Sequence, residues 1–173
     1  MPKSKFGDIG PCEVVWDYAG TPLNLSPFLG TVELRLTDSI VNVEEEAYGD
    51  TAVDAVFSGS EAMLDCPLTR QDYDSLASVL PGVSLQSGSL IFSMFTGCDM
   101  YENAKEMVIK PVCDGVPTSD TTKWVHIWKA YPYRDFALTF DRSGQRVIMV
   151  HFKLFPDLTS GAGGRVFRWG IPV

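Results

Sequence analysis

Basic charge is what this sequence has least of: 14 Lys and Arg stand against 22 Asp and Glu, a net of −8. A chain that grips nucleic acid through its phosphates needs a basic face, so that class is disfavoured. A protein that must let nucleic acid pass without sticking is not. Long apolar runs are missing too. None approaches the roughly 18 residues of a membrane span, and "MPKSKFGDIGPCEVVW" lacks the apolar core of a signal peptide. Neither a membrane location nor export is expected. Cys12, Cys66, Cys98 and Cys113 form no C-x-x-C pair, so they read as reduced cytosolic thiols rather than a disulfide or metal framework.

Catalytic signatures are equally sparse. "SGAGGR" departs from the phosphate-loop pattern and does not lie between a strand and a helix. "FSGSEAM" is not the G-x-S-x-G elbow of a serine hydrolase. Of the two histidines, His126 alternates with Trp124 and Trp128 on one strand face. His151 lies opposite its neighbours Val150 and Phe152. A histidine among aromatics is more often packed than a base, and nothing assigns it a Ser, Cys or Asp partner.

Period-two alternation is what the chain has in abundance. "TVELRLT" sets Val32, Leu34 and Leu36 on one face and Glu33 and Arg35 on the other. The strand pattern runs on through Ile40–Tyr48 to a turn at Gly49-Asp50, and "TAVDAVFSGSEAMLDCPL" returns as a second arm. Its apolar phase slips from Val53, Ala55 and Phe57 to Ala62, Leu64 and Cys66, which places a bulge or bend at Gly59. Further strands are expected at "KEMVIKPV", "KWVHIWKAY", "FALTFD" and "RVIMVHFKLF", and a polar, glycine-containing link "DLTSGAGGR" leads to the terminal "VFRWGIPV". Helical spacing occurs once, in "TRQDYDSLASVLPG". There Thr69 is the expected N-cap, Asp72 follows three residues later, and Tyr73, Leu76, Ala77 and Leu80 form an apolar face. Pro81-Gly82 ends this helix of about three turns. Residues 81–104 read as a loop with one weak strand. These features predict a mainly β, single-domain fold over 1–173: a β-sandwich or partly closed barrel with one flanking helix, a long β-ribbon and an N-terminal arm at 1–11. A chain of this length can bury roughly two thirds of its unfolded surface.

Three consecutive glutamates, Glu44 to Glu46, sit inside the ribbon. Alternation sends their carboxylates to both faces. Paired acids suit glycosidic chemistry, and Glu44, Glu46 and Asp50 suggest a calcium site, but no spacing makes them converge. No catalytic residue, metal ligand or cofactor is expected.

The order of "AKEMVIKP", "DTTKWVHIWKAYP", "FALTFDRSGQRVIMVHFKLFPD" and "RVFRWG", preceded by "EEEAYGDTAVDAVFSG", resembles the tail tube (major tail) proteins of long-tailed bacteriophages. The resemblance spans Gly30 to Gly170. Ala52 stands where that family's "YGxTPVD" segment has proline, which relaxes the turn. The family implies a non-enzymatic virion protein with a tail-tube-like β-sandwich. Hexameric rings of it stack into a hollow tail tube, assembled in the host bacterial cytoplasm, through which viral DNA passes without specific binding. The partners implied are further copies and other tail proteins: terminator, tape measure and baseplate. On that basis Asn42, Glu44 and Glu46 are expected to face the channel and repel DNA. Val41, Val43 and Ala47 would pack on the opposite side, and Glu45 and Tyr48 would meet a neighbouring subunit. Two alternatives stay open. One is another tail or injection-tube component, such as a terminator or secretion-tube ring. The other is a carbohydrate-binding module or small β-sandwich hydrolase using Trp124, Trp128 and Tyr131 as a sugar platform.

Overall fold

A computed structural model describes residues 11–25, 31–44, 52–68, 73–94, 96–135, 147–159, 161 and 163–170. These residues hold eleven strands: β1 (Cys12–Trp16), β2 (Leu23–Asn24), β3 (Glu33–Glu44), β4 (Ala52–Leu68), β5 (Val83–Gln86), β6 (Ser89–Phe92), β7 (Lys105–Cys113), β8 (Val116–Pro117), β9 (Val125–Tyr133), β10 (Ile148–Leu154) and β11 (Phe167–Trp169). The described residues hold one α-helix, α1 (Tyr73–Val79). The fold is therefore mainly β with a single helix, as the alternation predicts.

Nine strands make one antiparallel sheet in the order β2-β1-β7-β9-β10-β4-β3, with β11 added to β9 and β8 to β7. The sheet is not flat. Five strand steps separate β3 from β1, which a flat sheet would spread over about 24 Å. Yet Val32, Leu34 and Leu36 line one cleft with Cys12, Ile109, Pro111, Val125, Phe167 and Trp169. Only a strongly curled sheet brings both ends to one cleft.

The inner face of that curl is the core. Val14, Trp16, Leu64, Cys66, Met107, Ile127, Val150 and Phe152 are all buried in it. The alternation of β10 is clean, with Ile148, Val150, Phe152 and Leu154 inward and Met149, His151 and Lys153 outward. Helix α1 adds Leu76 and Val79 to the same cluster. It has seven residues, about two turns rather than three. Its expected cap, Thr69 with Asp72, lies outside the described residues. Leu80 N donates to Leu76 O, and Gly82 at φ 66 then turns the chain away, so the stop at Pro81-Gly82 is where the sequence puts it.

The segment 81–104 needs correction. It carries a complete hairpin, β5 with β6, in which Val83 pairs with Phe92 and Leu85 with Leu90. Ser87 (φ 48) and Gly88 (φ 78) supply the two left-handed residues of a tight turn. Ser87 occupies a place where the sequence reading looks for Asn or Gly, so the turn was missed. β1 was also missed, because CEVVW is too short to show alternation. It pairs with β7 from Cys12↔Pro111 to Trp16↔Met107. Of the N-terminal arm only Pro11 is described, and its carbonyl accepts from Val112 N at 2.8 Å. The strand expected at "FALTFD" lies outside the described residues.

A candidate assembly ribbon

β3 pairs with β4 along its whole length, from Glu33↔Asp65 to Glu44↔Ala52, with register shifts at Ser39/Ile40 and Val43/Glu44. β10 supports β4 only from Ala62 to Leu68. Beyond that point, among the described residues, the pair stands as a two-stranded ribbon with no strand on either outer edge. A ribbon of this kind is marginal alone in water, and its unpaired edges are templates for further strands.

The expected bulge sits at the base of the ribbon. Ser39 pairs with Gly59 but Ile40 pairs with Phe57, so Ser58 is the extra residue. Its hydroxyl donates to Ser39 O at 2.9 Å, filling the gap left in the ladder. Gly59 has φ 148, a conformation that other residues adopt only with strain. The bulge explains the phase slip in the sequence: Ala62 and Leu64 share the inner face, and past Ser58 that face passes to Phe57 and Ala55.

Alternation along β3 then fixes the two faces. One continues the core side, with Leu34, Leu36, Asp38, Ile40, Asn42 and Glu44, and opposite them Ala55 and Phe57. The other carries Thr37, Ser39, Val41 and Val43, with Asp54 and Val56. Both faces are apolar and both are open. Ile40 is 63% exposed and Phe57 60%, while Val41, Val43, Val53 and Val56 are also exposed. Burying an Ile or Phe side chain is worth about 1.5–3 kcal/mol, so this ribbon leaves a large driving force unused in the single chain.

The ribbon's described charges are acidic. Asp38 accepts from Ser60 Oγ at 2.9 Å and Asp54 from Ala55 N at 2.7 Å. The cation at its base, Arg35, is turned onto Glu33 at 2.9 Å. Of the residues assigned to the channel, Asn42 and Glu44 share one face, as expected, but with Ile40 and Phe57 as neighbours. Glu46, Glu45, Tyr48, Ala47 and the Gly49-Asp50 turn lie outside the described residues.

Other chemistry-bearing groups are spoken for. His151 Nδ1 lies 2.6 Å from Asp65 Oδ1, and its ring stacks on Tyr133 at 5.5 Å. His126 Nε2 meets Glu106, and its ring meets Trp128 edge-on at 5.0 Å. The two histidines thus sit in separate carboxylate pairs. Sequence reasoning saw their aromatic neighbours but not these acids, because cross-strand partners are remote in sequence.

The proposed sugar platform does not form. Tyr131 is buried, and Lys110 sits 4.8 Å from the Trp124 ring. Arg165 and Arg168 lie 4.4 and 5.5 Å from the Trp128 ring. A cation against each of these rings competes with a sugar for the ring face it covers. Arg165 is itself steered by Asp157, 3.5 Å away. That buried carboxylate accepts from Thr159 Oγ1 at 2.7 Å and Thr159 N at 3.1 Å, bonds that hold it below the ordinary carboxylate range.

The cysteines separate sharply by environment. Cys66 is wholly buried, and burial pushes its thiol far up; Cys12 is raised more modestly for the same reason. Cys98 and Cys113 are exposed. Mass spectrometry after brief treatment with a maleimide at pH 7.5 should find Cys98 and Cys113 modified, Cys12 lagging and Cys66 untouched until the protein is unfolded. Native labelling of Cys66 at the rate of Cys98 would contradict the core arrangement.

No helix among the described residues is long and apolar enough to cross a membrane. In comparisons with known proteins, the chain matches no family model and no curated protein.

Proposed function

We propose that the chain is a structural subunit that joins copies of itself, head to tail, into rings that stack as a phage tail tube. One observation carries this reading: a ribbon with exposed apolar residues on both faces and, among the described residues, no strand paired to either outer edge. Pairing the outer edge of β3 with the β4 edge of the next copy is heterologous. It repeats around an axis, closes as a ring, and turns exposed edges into ladder hydrogen bonds. The curled sheet would form the wall behind the ribbon, the sandwich-like part of the subunit.

Size constrains the ring. Twenty-four strands at about 4.8 Å, tilted by about 40°, close at a backbone diameter of roughly 48 Å, wide enough for a duplex about 20 Å across. Twelve strands close at roughly 24 Å, which side chains would fill. A hexamer that passes DNA therefore needs four channel strands from each copy, two beyond the ribbon described above.

The acidic balance then has a use. A basic channel would hold DNA by counterion release, whereas an acidic one keeps it sliding. Negative-stain electron microscopy of the purified protein tests assembly: rings or tubes are expected, and a persistent monomer at high concentration would overturn the reading. Replacing Glu44 and Glu46 together by Lys tests the channel face. Tubes should still form but should now retain DNA, increasingly so as salt is lowered. Tubes that ignore DNA after this change would move the channel to the opposite face of the ribbon.

A further inference from the structure

Two buried side-chain nitrogens, His126 Nδ1 and Arg168 Nε, have no hydrogen-bond partner among the described residues. They belong to residues directly opposed across β9 and β11. Buried polar atoms are rarely left unpaired, so two on facing residues need a common explanation.

Proton chemistry supplies one. Arginine stays protonated, so its Nε is always a donor. His126 turns Nε2 toward the carboxylate of Glu106 on β7, which places the ring proton on Nε2. Nδ1 is then a bare lone pair, an acceptor. One orphan gives what the other lacks.

We propose that Arg168 Nε donates to His126 Nδ1, closing a bridge Glu106–His126–Arg168 across β7, β9 and β11. Opposed residues in an antiparallel pair stand about 5.5 Å apart at Cα, within reach of an arginine side chain by rotation about its own bonds. The Trp128 ring, 5.0 Å from His126 and 5.5 Å from the Arg168 guanidinium, shields the bridge from water.

The bridge is a clamp. β11 has only three residues, and Trp128 N to Val166 O at 3.4 Å and Gly170 N to Trp124 O at 3.0 Å flank its ladder. Anchoring β11 by a side chain holds Phe167 and Trp169 over the apolar cleft.

Nitrogen-15 NMR of the unmodified protein, in solution or by magic-angle spinning of assembled tubes, tests this directly. His126 should be the Nε2–H tautomer, and the Arg168 Nε–H should exchange slowly with water. The Nδ1–H tautomer, or an Arg168 Nε–H exchanging like an exposed arginine, would overturn the proposal. Arg168→Met should speed amide exchange at Trp128 and Gly170 about tenfold, the loss of one hydrogen bond. Val112, bonded to Pro11 at the far side of β7, should be unchanged. Equal exchange at Trp128 and Gly170 in both proteins would also sink it.

Discussion

Replacing Val41 and Val56 together by Asp yields a folded protein that no longer forms rings or tubes. The two residues face each other across the ribbon, and both are more exposed than buried in the single chain. Neither belongs to the core cluster, so their loss leaves the folded subunit close to its original stability. In the proposed assembly the same pair, on the face opposite the channel, is buried. Each then forfeits about 1.5–3 kcal/mol per copy and leaves carboxylates in an apolar contact. At each interface that is about 3–6 kcal/mol, on the order of two to four powers of ten in affinity. Sedimentation velocity and electron microscopy read the assembly, and circular dichroism reads the fold. Tubes that persist in the double variant would remove the ribbon from the interface, whatever else holds the copies together.

Phe152→Ala has the opposite signature: it destabilises the subunit rather than dispersing the assembly. Phe152 is fully buried on β10, paired with Leu64 on one side and Pro132 on the other, and its ring lies 5.2 Å from Trp16. Those neighbours sit on three separate strands and cannot collapse together into the space left behind. Truncations of this kind cost about 3–5 kcal/mol, a large part of the 5–15 kcal/mol that holds a typical domain. The adjacent His151→Ala is the control. It loses an exposed-face contact with Asp65 and a stack on Tyr133, which costs about 1 kcal/mol. Urea unfolding at concentrations where the protein is monomeric compares the two. A difference below about 1 kcal/mol would mean that β10 does not form the centre of the core.

Particular residues show how far the sequence could be read. The inward set Val150, Phe152 and Leu154 was legible because a strand buried on one face must alternate. The bulge beside Gly59 was legible because the apolar phase cannot slip without an extra residue. What escaped was either short or remote. CEVVW offers too few residues to show a period, and the β5–β6 turn uses Ser87 where Asn or Gly is the usual sign. The acids Asp65 and Glu106 stand 86 and 20 residues from the histidines they meet. Such pairings depend on which strands become neighbours, and alternation says nothing about strand order. The ribbon was visible as a long hairpin. That β10 stops at Ala62 and leaves the rest unsupported was not, since nothing in the composition of β4 changes there.

Ser58 gives the ribbon a parity rule. Because it is the unmatched residue at the base, the side chains of β4 from Phe57 to Asp54 are indexed one step out of phase with those before it, until a second register shift at Val43/Glu44. Were Ser58 paired in a regular ladder at the same chain length, Phe57 and Ala55 would move to the face now held by Val56 and Asp54, whereas deleting Ser58 would leave them where they are. Within a regular stretch of the arm, lengthening or shortening it without inverting the part beyond therefore requires changes of two residues at a time. Over evolutionary time such a ribbon can grow or shrink only in steps of about 7 Å, so its reach is quantised by the pleat of the strand.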